Sequence, residues 1–279
     1  MNYVLIGSLI LLVVAFAIGF YRGLFGLLGG LLTWMIILGF LYVATPLIEA
    51  KYMDGAVYKK FYNSVSEHIS TSLITKENKT IDSLNAAAGD DTTDTQDSTT
   101  DVGTPKKAAI DLSDSESLRD YLGKLGISIP KKASDFISKA VDSTTNAAAE
   151  IVSNITADNA DKLSEANNTI VDTLSARTAA LMVKGLAILT SLLIAFIITR
   201  ALALIAQFIG DLPVVGGFSR FLGGVWGIIV ALLIIWIFMD VVTCFSITPN
   251  GAKLVSQIQN NAFLDFLYVE NPLAFLINK

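Results

Sequence analysis

The chain is poor in the residues that build metal, redox and catalytic sites. Its 279 residues include a single cysteine, Cys244, which excludes an internal disulfide and a CxxC zinc or redox site. The single histidine, His68, excludes a histidine-rich metal site and a relay between two histidines. The formal net charge of −5 argues against a nucleic-acid partner, because nucleic-acid-binding surfaces are basic.

Charged residues are scarce as well. They make up 16% of the chain, against about 25% in an average soluble domain. Hydrophobic residues make up 53%, and they concentrate in residues 3–45 and 179–247. The mean hydropathy of +0.58 and this uneven distribution are typical of an integral membrane protein. The first apolar run lacks a positive n-region and an A-x-A-like site, which predicts a retained anchor rather than a cleaved signal peptide.

The two apolar blocks predict four transmembrane helices. Residues 3–45 would form about 64 Å of helix, enough for two crossings of a hydrocarbon core about 30 Å thick. The break is expected at GFYRG (19–23), because glycines permit a tight turn and arginine reaches toward headgroups or water. Pro46 is expected to close the second span. Arg200 is expected to end the third, with ALALIAQFIG (201–210) continuing as a short apolar helix. The predicted spans are 3–20, 24–45, 179–199 and 222–245.

Charge asymmetry predicts the topology. The two short connections carry Arg22, Arg200 and Arg220 with one aspartate, whereas residues 46–178 contain 14 Lys or Arg and 21 Asp or Glu. The positive-inside rule therefore puts both short connections in the cytoplasm. We predict a multi-pass protein of a bacterial cytoplasmic (inner) membrane, with the N-terminus, the acidic insert and the C-terminal tail (248–279) outside.

The insert, residues 46–178, is predicted to be helical and partly disordered. Residues 51–74 have an amphipathic helical pattern, and 113–130 contain a short helix capped by Ser115 or Asp114. Residues 85–105 are acidic and almost free of large apolar side chains, which predicts disorder. Two further helices are expected, at 133–155 and at 158–181, and the second should continue into span three.

No motif indicates an enzyme. His68, beside Glu67 and Ser70, could be imagined as the base of a hydrolase, but an amphipathic helix explains its position more simply. No HExxH, GxSxG, Walker A or GxGxxG pattern stands in a strand–turn–helix context. We therefore predict no catalytic residues, no cofactor and no metal.

Two charged residues fall within the predicted spans, where ionisable groups are candidates for function. Lys184 lies 16 residues from Arg200, about 24 Å along a helix, and Asp240 lies 20 residues from Arg220, about 30 Å. Both therefore approach the outer face. There they could snorkel or pair with each other, which we favour, or line a path for ions or substrate. Cys244 is expected to serve packing.

Glycines recur at helical spacing in both apolar blocks. Such stripes let helices approach closely in lipid. The favoured interpretation is intramolecular packing of spans two and four, and the alternative is homo-oligomerisation through the same faces. The glycines concerned are Gly19, Gly23, Gly26 and Gly30 in the first block and Gly223 and Gly227 in the second.

Two segments resemble the colicin V production protein (CvpA) family. GFYRGLFGLLGGLL, with Gly19, Arg22 and Gly23, resembles the family's Gly-x-x-Arg-Gly turn after span one. LPVVGGFSRFLGGVWGIIVALLIIWIF, with Arg220, Gly223 and Gly227, resembles the segment that opens its fourth span. The resemblance covers about residues 1–45 and 180–247, and the long insert departs from it. It implies a membrane protein linked to bacteriocin or toxin production and export, and it carries over no catalytic residue.

The sequence therefore predicts an all-α integral membrane protein with four transmembrane helices. The leading functional hypothesis is a non-enzymatic, CvpA-like component that supports toxin or bacteriocin production, secretion or envelope homeostasis. Its expected partners are the lipid bilayer, a second copy of itself, or a secretion or envelope protein bound through residues 46–178. The alternative is a small oligomeric channel or transporter that uses Lys184 and Asp240.

Overall fold

In a computed structural model of the chain, residues 2–88, 111–153, 162–206 and 217–278 are described, and within them every regular element is helical. The chain divides into two compact units. The bundle unit comprises residues 1–61 and 179–279, and the insert unit comprises residues 62–178. The helices are α1 (Tyr3–Met53), α2 (Ala56–Ala88), α3 (Ser115–Lys124), α4 (Lys131–Ser138), α5 (Ser143–Ser153), α6 (Leu163–Ala206), α7 (Gly217–Cys244), α8 (Pro249–Gln259), α9 (Ala262–Val269) and α10 (Phe275–Asn278).

Four stretches of helix are long and apolar enough to cross a membrane. They are Tyr3–Tyr21, Leu32–Met53, Leu163–Leu202 and Arg220–Cys244. The prediction of an all-helical chain with four candidate membrane spans is therefore confirmed for the described residues. The insert was predicted to comprise residues 46–178, and the insert unit comprises residues 62–178, so the predicted end agrees and the start lies 16 residues later.

The corner between the first two spans lies at Gly23. Its φ of 68° and ψ of −166° are not helical, and they interrupt the 51 residues of α1. Such a positive φ is strained for residues with a Cβ, so glycine is required at this point. The break expected within residues 19–23 is thus present, and α1 consists of two helical halves that meet there.

Pro46 does not close the second candidate span, and Arg200 does not end the third, contrary to expectation; the helix after Arg200 was expected. Pro46 lies inside α1, which continues to Met53. An interior proline costs about 3 kcal/mol, but the neighbouring residues offset this by packing: Ala44 and Thr45 are buried, and the Thr45 hydroxyl donates a hydrogen bond to Ser191 Oγ at 3.2 Å. Arg200 is followed by six further residues of α6, because arginine, alanine and leucine all favour helix.

Residues 248–279, predicted as a tail, form α8, α9 and α10 and complete the bundle core. Thr248 caps α8 and Asn261 caps α9, each accepting a hydrogen bond from a backbone N–H of the first turn. One core cluster joins α1, α7, α8 and α9, and includes Val4, Met239, Ile258, Leu264 and Leu267. A second joins α1, α6, α7 and the chain end, and includes Ile37, Leu41, Ile188, Ile237, Leu273 and Leu276.

The insert unit contains most of α2, α3 to α5 and the start of α6. Its core is built from buried apolar residues of each helix: Val65, Ile69, Leu73, Leu118, Leu122, Ile137, Ala149, Ile170 and Leu174. The Tyr62 hydroxyl of α2 donates a hydrogen bond to the Asp172 carboxylate of α6 at 2.6 Å. The helix α6 is continuous through residues 163–206, as the sequence pattern predicted for its start and span three.

Two predictions for the insert need correction. The helix expected at 133–155 is two helices, α4 and α5, because the Asp142 carboxylate caps the second by accepting from the Thr145 N–H at 2.9 Å. Of the segment predicted to be disordered, residues 85–88 end α2, since three consecutive alanines favour helix. Residues 89–105 lie outside the described part of the chain, as do residues 211–216 of the predicted break before span four.

Candidate functional site

Glycines on α1 and α7 bring the two backbones into direct contact. A Cβ on Gly19 would lie against the Gly223 carbonyl oxygen, far inside contact distance, and a Cβ on Gly223 would meet the Gly19 carbonyl in the same way. A Cβ on Gly227 would overlap the backbone of Ala15. The backbones of span one and span four therefore touch at these three glycines, a contact that the sequence interpretation, with its packing of spans two and four, did not include.

The remaining predicted packing residues lie around this crossing. Gly30 faces α7, where an added Cβ would come within 2.7 Å of the Trp226 indole nitrogen. Arg220 is exposed at the start of the fourth candidate span. Arg22 and Gly26 lie on α1, in a stretch where the structure does not describe their surroundings.

A buried charged cluster lies toward the other end of the bundle unit, and Lys184 of α6 is its cation. The Lys184 ammonium donates a hydrogen bond to the Ile277 carbonyl at 3.0 Å. It also lies 4.0 Å from the carboxylate of Glu49, on the last turns of α1. The side chains of Lys184 and Glu49 are 6% and 24% exposed, so water screens their charges little.

Asp240 of α7 belongs to the same cluster and is fully buried. Its Oδ1 accepts a hydrogen bond of 2.7 Å from the side-chain amide of Asn271, which also donates to the Trp236 carbonyl at 3.3 Å. The amide oxygen of Asn271 accepts from the Leu273 N–H at 2.8 Å. One buried asparagine therefore links the α7 carboxylate to the backbone of the chain end.

Cys244 shows how close these groups are. Its buried thiol follows Asp240 by four residues, about one turn of α7. The thiol lies where α7 contacts α6, since a Cβ on Gly185 would come within 2.5 Å of the Cys244 Cβ. The sequence predicted that Lys184 and Asp240 approach similar depth. The structure brings them into one neighbourhood, shared with Glu49 and Asn271.

Tyr268 of α9 also belongs to the cluster. Its hydroxyl lies 3.0 Å from Thr243 Oγ1, which donates to the Met239 carbonyl at 2.8 Å. The side chain of Tyr268 is buried, so its hydroxyl has Thr243 as a partner away from solvent. The cluster therefore holds two carboxylates and one ammonium among neutral hydrogen-bonding groups.

Sequence reasoning found Lys184 and Asp240 but missed Glu49 and Asn271. Glu49 follows Pro46, at which the second span was expected to stop, so it was assigned to the insert. Asn271 precedes a proline in a segment interpreted as a tail. An asparagine before proline is a turn signal, and it could have indicated that the chain folds back there.

Two further sequence observations concern His68 and possible metal ligands. His68 is exposed on α2, and its backbone carbonyl accepts a hydrogen bond from the Ser72 hydroxyl at 3.0 Å. Within the described ranges, no three His, Cys, Asp or Glu side chains are grouped so that they could hold a metal ion. The chemistry that this site offers is ion pairing and hydrogen bonding.

Comparisons with protein-family models, with curated proteins and with solved structures found no match for the chain.

Proposed function

We propose that the chain is a non-enzymatic, multi-pass protein of a bacterial cytoplasmic membrane, and that it supports toxin or bacteriocin production, secretion or envelope homeostasis in the manner of the CvpA family. The observation that carries the proposal is the glycine crossing. The segments around Gly19 and Gly223, which carry the resemblance, lie about 200 residues apart in sequence and meet in one backbone contact. Motifs that meet in space form a single structural unit.

The four apolar helices support membrane insertion, and hydrogen bonds between the start of α1 and Gln257 of α8 support the proposed topology. Asn2 Nδ2 donates to the Gln257 carbonyl at 2.5 Å, and the Tyr3 N–H donates to Gln257 Oε1 at 3.0 Å. The start of α1 and the end of α8 therefore lie at one end of the bundle unit. An even number of crossings, with both ends outside the cytoplasm, fits this arrangement.

In this proposal the protein acts through association rather than chemistry. The bundle unit anchors the chain in the bilayer, and the insert unit presents an acidic, helical surface to a secretion or envelope protein or to a second copy. The insert, residues 46–178, has 14 basic and 21 acidic residues, so a basic partner surface would complement it.

Glycine substitution tests the proposal in cells that depend on this chain. Gly223→Leu forces a side chain into the Gly19 backbone, and we expect loss of protein secretion and increased sensitivity of the envelope to detergent. Gly39→Leu is the matched control, because a Cβ at Gly39 meets nothing within 4 Å. If removing the gene leaves secretion and the envelope unchanged, the proposed function is wrong.

A channel or transporter is the second candidate, and the buried charged cluster favours it. Ionisable groups between membrane helices often mark the path of an ion or a proton. Asp240→Asn keeps the shape and an oxygen that can accept from Asn271, but removes the charge. Loss of ion flux in reconstituted vesicles would support the channel, whereas an unchanged flux, or none in the parent protein, would contradict it.

Cysteine labelling tests the topology. Cys244→Ala gives a cysteine-free background, and single cysteines can be placed at Asp120 in the insert unit and at Tyr21 before the corner, both exposed. An impermeant maleimide added to intact cells should label Asp120→Cys and spare Tyr21→Cys. The reverse pattern would invert the proposed orientation.

A further inference from the structure

The segment of residues 262–277, here the C-terminal segment, is apolar on two opposite faces. One face packs into the bundle unit through Leu264, Leu267 and Leu276, each buried. The other exposes large apolar side chains: Phe263 at 42%, Phe266 at 63%, Val269 at 61% and Phe275 at 42%. Two acidic residues interrupt this segment, Asp265 partly exposed on α9 and Glu270 exposed directly after it. A short helix with large apolar side chains on both faces is otherwise typical of a segment that lies between protein and hydrocarbon.

Hydrogen bonds fix how far the segment reaches along the bundle. The Trp236 indole N–H donates to the Leu267 carbonyl at 3.0 Å. Trp236 lies 16 residues after Arg220, or about 24 Å along α7, in a hydrocarbon core about 30 Å thick. The end of α9 therefore lies about 6 Å inside the core boundary if Arg220 marks the opposite boundary.

Phe275 joins the segment to the exposed surface of span two. Its ring centroid lies 6.3 Å from that of Tyr42, which is 51% exposed on α1. Tyr42 follows the corner at Gly23 by 19 residues, or about 28 Å of helix. The exposed aromatic surface is thus continuous from the candidate span to the C-terminal segment, at the depth where membrane proteins carry aromatic belts.

The backbone of the segment has the partners that a site in hydrocarbon requires. Non-helical backbone at membrane depth is tolerated only where protein satisfies its polar groups. Here the Leu267 carbonyl accepts from Trp236, and the Ile277 carbonyl accepts from the Lys184 ammonium. The Leu273 N–H donates to the Asn271 side chain, which is held in turn by Asp240.

We propose that residues 262–277 form a re-entrant segment whose exposed face contacts lipid acyl chains of the outer leaflet, and that Lys184, Asp240 and Asn271 hold it there. The buried charges then serve the fold of a membrane-embedded chain end. This inference rests on the membrane insertion of the proposed function, so its test must separate the two.

Depth measurements with a fluorescent thiol label provide the test. In the Cys244→Ala background, single cysteines replace Phe266 on the proposed lipid face, Asn260 as the polar control just before α9, and Phe196 as the exposed control within span three. Each labelled protein is reconstituted into vesicles of phosphatidylcholine with brominated acyl chains. We expect strong quenching at Phe266→Cys and Phe196→Cys, and little at Asn260→Cys.

The outcomes separate the two proposals. Quenching at Phe196→Cys without quenching at Phe266→Cys would place the segment in water and overturn the inference, while membrane insertion would stand. No quenching at either position would overturn both. Disulfide formation between two Phe266→Cys chains in lipid discs would show that a second copy covers this face, and it would also overturn the inference.

Labelling rates give an independent measurement. Reaction of Phe266→Cys with an impermeant maleimide should be about tenfold slower than that of Asn260→Cys, because the thiol must leave apolar surroundings to react. Equal rates would contradict the inference. The unlabelled Phe266→Cys chain should melt at the same temperature as the Cys244→Ala parent, which excludes local unfolding as the cause of any difference.

Discussion

The bundle unit and the insert unit differ in how many large apolar side chains they expose. In the bundle unit, exposed large apolar residues occur along α1, the second half of α6, α7 and the C-terminal segment. In the described part of the insert unit, Ile74 alone is an exposed large apolar residue. The insert unit therefore buries its large apolar side chains in a core, as a protein in water does. The bundle unit exposes many of its large apolar side chains.

The two units also differ in where their charges lie. The bundle unit buries Lys184 and Asp240, each with polar partners, while no Lys, Arg, Asp or Glu is buried among the described residues of the insert unit. Insert carboxylates instead cap helices: Asp114 accepts from the Ser117 N–H at 2.8 Å, at the start of α3. One chain thus contains two units that differ in where their apolar and charged side chains lie, and perturbations should affect each separately.

The largest effect is expected for Lys184→Met. Removing the ammonium leaves Asp240 and Glu49 without the cation of their cluster, and breaking a buried pair costs about 3–5 kcal/mol. Amide hydrogen exchange followed by mass spectrometry should show faster exchange in bundle peptides and unchanged exchange in insert peptides. Lys253→Met, at an exposed lysine of α8, is the matched control. If the two substitutions had equal effects, the cluster would not contribute to the stability of the bundle unit.

A smaller effect, confined to the other unit, is expected for Leu122→Ala. Leu122 is 1% exposed in the insert core, and truncating such a leucine costs about 3 kcal/mol through lost burial and the cavity left behind. Exchange should accelerate in peptides of α2 to α5 and not in those of α7 to α9. Ile74→Ala, at the exposed apolar position, should change little. Faster exchange of the bundle in Leu122→Ala would show that the units are not independent.

The smallest effect is expected for acid, and again for the insert unit. The Ser117 N–H holds the pKa of Asp114 below its usual value of 3.8, and the Thr145 N–H does the same for Asp142. Because the folded pKa values are depressed, this stabilisation is complete above about pH 4 and is lost as the pH falls through the folded values.

Exchange rates of α3 and α5, corrected for the intrinsic pH dependence of amide exchange, should therefore rise below about pH 4. The double variant Asp114→Asn/Asp142→Asn keeps good N-caps and should lose this pH dependence. A variant with the same acid profile as the parent would mean that other groups cause the loss of stability.

Local signals predicted the fold well where short-range physics decides it. Forty-three apolar residues are too long for one crossing, and the required corner falls at Gly23, where a positive φ needs glycine. Hydrophobic spacing predicted an amphipathic helix at 51–74, and α2 buries Val65, Ile69 and Leu73 at that spacing, because burial alone sets the period. The ends of spans two and three were predicted less well. Packing next to Pro46 overrides the helix-breaking tendency of that residue, and the helix-favouring residues after Arg200 extend α6.

The candidate site was only half predictable, because its contacts are long-range. Lys184 and Asp240 were found from their charge within apolar sequence, which is a local signal. Their partners Asn271 and the Ile277 carbonyl lie 31 and 93 residues away in sequence. No period or motif encodes a contact with a backbone carbonyl at that separation, and only the path of the folded chain provides it.

The glycine crossing has a consequence for how this chain can evolve. At Gly19, Gly223 and Gly227 the opposing atoms are backbone, which cannot move aside for a Cβ, and every other amino acid brings one. No neighbouring substitution can compensate, so these positions have no neutral alternatives. Gly7 and Gly39 have open space around them, so other residues can replace them without a clash. Homologous chains that preserve this crossing should therefore vary at the second pair while remaining fixed at the first three.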